Sequence, residues 1–516
     1  MSVVLVNVAN GPSNVLENLG IGAIASFLRK NNIEPTICYL GDTLLETEAN
    51  KLPLKNNLFG FSMVYTNVDF IFLLAKYIKM KNPNASVFVG GRLATDAATE
   101  ILNDCEYIDF VVSGFGEQPV FEVINAINSG NDISDISGIV TRLKDNGHKM
   151  STNVNINNLP WPSRDYLELF PNNVVARINA SIGCCGSCTF CSVNSFYSKD
   201  IKRWQGREME DVFNEIRLLH ENYGIRMFIF NDGSLEDPGV LGKSRIERLC
   251  DLIIEYKQKL SFRCYLRAET FSECDIPLIK KMRKAGFTQV FIGIESGSTQ
   301  DLILFNKKAT INDNHRAIKL FEDNGINVIM GFIPIHSLSN GDTLKENFNF
   351  LYEHKAYDLL NYATPLEVYY GTPIHKELEK QGLIHSDFSY KNPHAYVFKD
   401  YIVENVYEFI NKHIGKDSNI IKDAYEFAGI VHTFNGLTAL YPDEIVGFQE
   451  ELKEIKIKLH KLISDFFRHI YIDNDLDFAY KNVTDFQEKL NALYQSAGLI
   501  NLRLIKKKPF RSFFIK

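Results

Sequence analysis

Ser181-Ile182-Gly183-Cys184-Cys185-Gly186-Ser187-Cys188-Thr189-Phe190-Cys191 sets three thiols, Cys184, Cys188 and Cys191, on one short loop. A β-rich run near 174–180 precedes it, so the loop leaves the end of an expected strand. Thiols this close together call for a metal or redox explanation. Iron–sulfur clusters are usually held by four thiolates, and three without an obvious fourth leave one iron open to an incoming ligand. Zinc is the rival, because it also takes cysteine. A structural zinc needs a fourth ligand, however, and no His or Cys follows at knuckle spacing; the next cysteine, Cys250, falls on an expected helix. Cys185 stands outside the spacing and reads as a buried bystander.

Downstream of the loop, strands are expected near 174–180, 227–231, 262–267, 289–294, 327–333 and 361–368. Amphipathic helices near 208–222, 244–259, 275–285, 311–324 and 343–354 separate them. Six strands fall short of a closed eight-stranded barrel, so residues 173–385 read as a partial (β/α)6 TIM-like barrel. Its chemistry is expected at the C-terminal strand ends.

Upstream, residues 1–140 alternate strands (Val3–Val8, Ile33–Leu40, Leu58–Met63, Ser86–Val89, Phe110–Val112) with helices such as Ile21–Lys30. That rhythm, with glycine turns at Gly90-Gly91 and Gly114-Phe115-Gly116-Glu117, is that of a doubly wound, Rossmann-like parallel sheet. Residues 141–172 read as a linker, polar over Lys144–Asn158 and then Leu159-Pro160-Trp161-Pro162. Residues 386–516 read as a mostly helical, substrate-capping region, with Leu452, Ile455, Leu459, Leu462, Ile463, Phe466 and Phe467 at helical spacing. Tyr390, His394, Tyr396, His432 and Tyr441 lie there, and none is named as a catalytic acid or base. Residues 503–516 carry six Lys or Arg and no acid, the pattern of a solvated tail.

A chain of 516 residues suggests roughly three domains. A net charge of −7 argues against bulk electrostatic capture of nucleic acid. The N-terminus lacks a signal-peptide pattern, and no apolar run reaches membrane-spanning length. Nine scattered cysteines do not make a secreted disulfide framework. A cytoplasmic enzyme is expected.

The cluster loop resembles the CxxxCxxC signature of the radical S-adenosylmethionine (SAM) superfamily. Four further segments resemble the same family in order: Arg203-Trp204-Gln205-Gly206-Arg207, Phe228-Ile229-Phe230-Asn231-Asp232, Ile292-Gly293-Ile294-Glu295-Ser296-Gly297 and Tyr369-Tyr370-Gly371-Thr372-Pro373. The resemblance implies a [4Fe–4S] cluster on Cys184, Cys188 and Cys191. SAM would chelate the open iron and be cleaved reductively to a 5′-deoxyadenosyl radical that takes hydrogen from the substrate. Asp232, Arg267, Glu269, Glu295 and Ser296, at strand ends, would hold the rest of SAM, with Phe190 near the adenine. A flavodoxin- or ferredoxin-type electron donor is implied as partner.

The N-terminal sheet resembles the cobalamin-binding domain fused to many radical SAM enzymes. Ser62, Gly90, Gly91, Ala94, Thr95, Gly114, Gly116 and Glu117 are its candidate cobalamin contacts. The Asp-x-His-x-x-Gly motif of other cobalamin proteins is absent: the segment after the first strand reads Asn10-Gly11-Pro12-Ser13-Asn14, and the first histidine is His148. No histidine ligand to cobalt is expected from this domain. A methylthiotransferase would need three cysteines there, and only Cys38 and Cys105 are present. The resemblance implies methylation of an unactivated carbon of a peptide or secondary-metabolite substrate. The alternatives are a non-methylating rearrangement, cyclisation or ring contraction, and a non-catalytic metal- or corrin-binding sensor.

Overall fold

Val3–Val8 (β1) buries all six of its side chains, as an apolar strand without alternation does when helices cover both faces of its sheet. The computed structural model describes residues 2–9, 17–41, 44–147, 155–171, 175–193, 204–415 and 418–507. The Asn10–Asn14 segment, His148 and most of the basic tail lie outside the described residues. With β2 (Thr36–Leu40), β3 (Leu58–Ser62), β4 (Ser86–Gly90), β5 (Phe110–Val112) and β6 (Ile139–Val140), β1 forms a sheet in the order β2-β1-β3-β4-β5-β6. Its ladders are parallel except for the last, where β6 runs antiparallel. Val3 and Leu5 pack toward helices Leu19–Lys30 and Glu117–Asn128; Val4, Val6 and Val8 face helix Val68–Lys81 on the other side. Strand order reverses at β1, which opens a crevice at the carboxyl ends of β1 and β3.

The second sheet is built from β7 (Val175–Ile178), β10 (Met227–Phe230), β11 (Ser261–Arg267), β12 (Phe287–Glu295) and β13 (Asn327–Phe332). Its order, β13-β12-β11-β10-β7, is parallel throughout and follows the chain, as in a barrel wall. A short antiparallel pair, β8 (Ser181–Gly183) and β9 (Trp204–Gly206), sits at the end of β7 and flanks the cysteine loop.

The predicted sixth strand over 361–368 is absent among the described residues. Leu360–Ala363 turns helical instead. The extended residues beyond it meet the end of β13 through the Leu366 N–H, which donates to the Ile335 carbonyl at 2.9 Å. Pro334 and Pro365 lack N–H groups, so a regular ladder cannot form between these segments.

The barrel is therefore open on one side, and the helical C-terminal region fills the gap. Its helices are Tyr401–His413, Asn419–Leu440, Pro442–Tyr471 and Leu476–Ile505. The expected apolar face is buried on the third of these, where Phe466 stacks on Phe486 at 4.0 Å. Helix Asn419–Leu440 runs the height of the barrel. Tyr425, near its start, lies in the field of Glu367 at the rim. Gly436 rests on the first residues of β10 and β11, so close that a Cβ there would meet Met227 Cε at 2.1 Å. Among the described residues no helix is long and apolar enough to cross a membrane.

Candidate active site

The cysteine loop is held by its backbone. Thr189 donates from N to the Phe305 carbonyl and from Oγ1 to the Leu304 carbonyl, both at 2.9 Å. Asn306 Nδ2 donates to Ser187 O at 2.9 Å, and Ile374 N donates to Thr189 O at 3.0 Å. Cys185 N donates to Asp237 Oδ2 at 2.7 Å, while the Cys185 side chain is exposed rather than buried as expected. Desolvation pushes the Cys184 thiol up to about 12 and the Cys188 thiol up to about 11, and it raises Cys191. These sulfurs become thiolates only when a cation compensates them. Among the described residues, the one group of His, Cys, Asp or Glu ligand atoms gathered within 4.8 Å is His315–Glu353–His354 on the outer helices. The three loop sulfurs are spread wider than that. Phe190 packs edge-on against Phe305 at 5.2 Å between centroids.

Around the loop, the strand ends carry charge. Arg267, at the end of β11, reaches under the loop and pairs with Asp237 (2.5 Å), Glu236 (3.5 Å) and Glu269 (3.5 Å). Burial works against the Arg267 cation, but Asp237 and Glu236 more than offset it. Glu269 Oε2 is buried without a hydrogen-bond partner. Glu295 ends β12 with φ +66, in the left-handed region that a non-glycine residue occupies only when its surroundings hold it there. Its carboxylate meets Lys307 Nζ at 3.3 Å; burial lifts the Glu295 pKa and Lys307 opposes that. The Lys307 cation survives its own burial because Glu295 and Cys188 lie close.

Sequence reasoning missed Glu236, Asp237 and Lys307. The acid-rich run Asp232–Asp237 at a strand end was the available signal for the first two; Lys307 left none, because only tertiary packing brings it to the rim.

Two predicted contacts work from behind. Asp232 is buried, with Oδ2 accepting from Ala180 N (3.0 Å) and Oδ1 from Ser181 Oγ (2.5 Å), so it clamps the strand leading into the loop. Desolvation pushes its carboxyl up to about 6 despite these bonds. Ser296 turns inward, its hydroxyl bonded to Asp301 (2.8 Å) and Asn347 (2.7 Å). The left-handed turn at Glu295 is what points neighbouring side chains in opposite directions.

Facing the loop lies a cavity of about 320 Å³, partly open to solvent. Six of the candidate cobalamin contacts, Ser62, Gly90, Gly91, Gly114, Gly116 and Glu117, line it; burial raises the Glu117 carboxyl. Gly91 adopts φ +109, a conformation that disfavours any side chain. Ala94 and Thr95 are buried behind the wall. Thr95 Oγ1 donates to Gly91 O and accepts from Gly114 N, both at 2.9 Å, tying the two glycine turns together.

Helix Leu19–Lys30 supplies a wall that was not foreseen, through Gly20, Ala23 and Ile24. At its N-cap, Asn18 Nδ2 donates to Asn7 Oδ1 (3.1 Å) and Ser62 Oγ (2.9 Å), bridging β1 and β3 at the crevice. The expected linker also lines the cavity, with Leu159, Pro160, Trp161 and Pro162. Ser181–Gly183, Asn231 and Gly233 close the barrel side, so one wall of the cavity is the strand that delivers Cys184.

Buried ion pairs lock this junction. Arg164, from the linker, bonds Glu17 at 2.7 Å and Glu215 at 2.6 Å, and Glu215 also holds Arg207 at 2.6 Å. Trp161 Nε1 donates to Asp211 at 2.9 Å. Near the rim, Glu367 accepts from Tyr65 and Tyr369, each at 2.5 Å, and lies 3.7 Å from His394. Burial favours its neutral form, but these donors win and hold it down at about 2.

A sequence profile of the radical SAM superfamily matches residues 178–351. An uncharacterized methyltransferase of Pyrococcus horikoshii is 29% identical over 332 residues, covering 61% of this chain and 68% of its own length. The anaerobic magnesium-protoporphyrin IX monomethyl ester cyclase of Rubrivivax gelatinosus is 28% identical over 298 residues; the match spans 55% of this chain and about half, 52%, of the cyclase. In fold, the chain is similar to OxsB, a cobalamin-dependent SAM radical enzyme whose structure holds aqua-cobalamin and SAM. The TM-score is 0.69 at 20% identity, over 98% of this chain and 80% of OxsB.

Proposed function

We propose that this chain, a member of the radical SAM superfamily, is a cobalamin-dependent enzyme that methylates an unactivated carbon of a peptide or secondary metabolite. The observation that carries the reading is the shared wall: the cavity and the three-cysteine loop meet at Ser181–Gly183. The cavity volume falls at the lower end of the range of about 300–1,000 Å³ usual for ligand pockets, and its glycine edge lets the backbone approach a flat macrocycle. Its lining contains no histidine among the described residues, in keeping with cobalamin held without an imidazole ligand. The spread sulfurs suit a cluster better than one zinc ion, whose bonds of about 2.3 Å would draw thiolates to roughly 3.8 Å apart. Bound together, these groups supply a hydrogen-abstracting radical and a transferable methyl group.

The chain's own part is placement and charge matching. Cys184, Cys188 and Cys191 hold the cluster. Arg267 sits where a carboxylate can pair with it, and Glu269, with its orphaned oxygen, where an ammonium or ribose hydroxyl can donate. Four acids (Glu236, Asp237, Glu269, Glu295) face two bases (Arg267, Lys307), an excess that suits a cationic sulfonium. Phe190 packs beneath the adenine. Residues 1–140 form the cobalamin module, 141–172 its strap, 173–385 the radical module and 386–516 the cap. A flavodoxin- or ferredoxin-type protein delivers the electrons. The test is to quantify 5′-deoxyadenosine and S-adenosylhomocysteine together in the reconstituted enzyme. Both are expected; 5′-deoxyadenosine alone would replace methylation by a rearrangement, and neither product would overturn the reading.

A further inference from the structure

Strand register sorts the inside of the barrel into layers. At the rim, Arg267 is level with Gly293 and Gly331. Two residues deeper, Tyr265, Phe291 and Ile329 form an aromatic and apolar layer, in which the rings of Tyr265 and Phe291 lie 5.1 Å apart. Two residues deeper again, Arg177, Ile229, Arg263, Gln289 and Asn327 fall in one row across all five strands. Strand alternation aims this row inward: the neighbours Ile178, Phe230, Cys264 and Val290 sit in the core outside the barrel.

The two guanidinium groups of that row lack carboxylates. Among the described residues neither guanidinium lies within 4.0 Å of a carboxylate, although Arg177 N donates to Glu17 Oε2 at 3.2 Å, and Arg263 Nε is buried without a hydrogen-bond partner. The Arg177 side chain makes a long contact of 3.5 Å to Asn231 Oδ1, and the Arg263 guanidinium lies 5.6 Å from the Tyr265 ring centroid. His432 enters from helix Asn419–Leu440, its Nδ1 2.7 Å from Gln289 Oε1, while its buried Nε2 has no partner. A small void of about 10 Å³ adjoins Arg263, Gln289 and His432, room for about one water. A buried guanidinium nitrogen left without a partner, as Arg263 Nε is, gains from an anion that completes it.

We propose that this floor is an oxyanion subsite, in which Arg177 and Arg263 bind a phosphate or carboxylate group of the substrate. The proposal rests on the reading of the lumen as the substrate chamber. It also sets a length. Four residues of strand separate Arg263 from Arg267, about 13 Å, so the substrate carries its anion at the far end of an apolar body from the carbon that reacts. Arg177 and Arg263 lie two strands apart, about 10 Å between backbones, a gap that two long guanidinium side chains close on one oxyanion.

The test is calorimetric titration of the full-length, anaerobically reconstituted protein with inorganic phosphate and, separately, with acetate. At least one anion is expected to bind saturably, and Arg177→Gln and Arg263→Gln each to weaken it about tenfold or more. Arg263→Gln is also expected to raise the anion-free Tm by about 2 °C, because an uncompensated charge is removed. Failure of both anions to bind the wild type, or equal binding by the variants, would overturn the subsite. Wild-type SAM cleavage, followed in the same preparation, separates the two claims. Cleavage without anion binding sinks the subsite alone, and anion binding without cleavage sinks the radical reading alone.

Discussion

Two sets of parallel strand ends face each other across Ser181–Gly183, and they are built on opposite plans. On the N-terminal sheet the edge is glycine, apolar side chain and backbone, with Arg92 and Glu117 its only ionisable side chains lining the cavity among the described residues. On the barrel, six ionisable groups crowd the rim beside the cysteine loop. Shape and backbone suit a large ligand whose charge is spread thin. Opposed charges in a desolvated site suit a small ligand that carries discrete ionic groups, because each unmatched charge there is costly. Recognition by contour and recognition by charge are thus separated by one strand.

The largest expected effect tests that separation directly. Cys188→Ser is expected to remove cluster iron and abolish SAM cleavage while leaving cobalamin retention within about twofold. Iron analysis and optical spectra of the anaerobic protein check both halves, and parallel loss of cobalamin would show that the two sites are one.

Next in size is Lys307→Met, which strands the Glu295 carboxylate. Denaturant unfolding should report a loss of about 3–5 kcal/mol, largely recovered in the Lys307→Met, Glu295→Gln double variant. The double variant should still bind SAM weakly; normal affinity would mean that this pair serves the fold alone. Smaller again is Ala23→Trp, which pushes bulk into the cavity from the N-terminal helix. Overpacking of about 2 kcal/mol corresponds to roughly thirtyfold weaker cobalamin binding, with iron content and SAM cleavage unchanged.

The smallest effect concerns Glu367, whose pKa is depressed to about 2 by its phenol and imidazole neighbours against the pull of burial. A depressed carboxylate stabilises the fold above its unfolded pKa, and that contribution disappears as pH falls through the folded value. Glu367→Gln should therefore cost about 1.5 kcal/mol at pH 7. The gap to wild type should narrow as the pH is lowered from about 4.5 toward 2, followed by urea melts. A gap that is constant with pH would assign the loss to packing.

Local patterns in the chain carried much of this. The unalternating β1, the glycine turns and the spaced cysteines each write their role into neighbouring residues, and Glu295 could be placed by counting along a strand. Other features depend on distance. Ser296 sits beside Glu295 in the chain but faces the other way, at the point where Glu295 takes a left-handed conformation. Lys307 and Asp237 reach the loop from separate turns. Pro334 and Pro365 jointly unmake a strand that either segment alone would suggest. Arg177 and Arg263 look like ordinary surface cations until register sets them in one row.

Helix Asn419–Leu440 has a consequence for how such an enzyme diversifies. It supplies one wall of the lumen, against β11 and β12, and His432 at its floor. A change confined to this single late element would therefore reshape the lumen while leaving the sequence of the cysteine loop untouched.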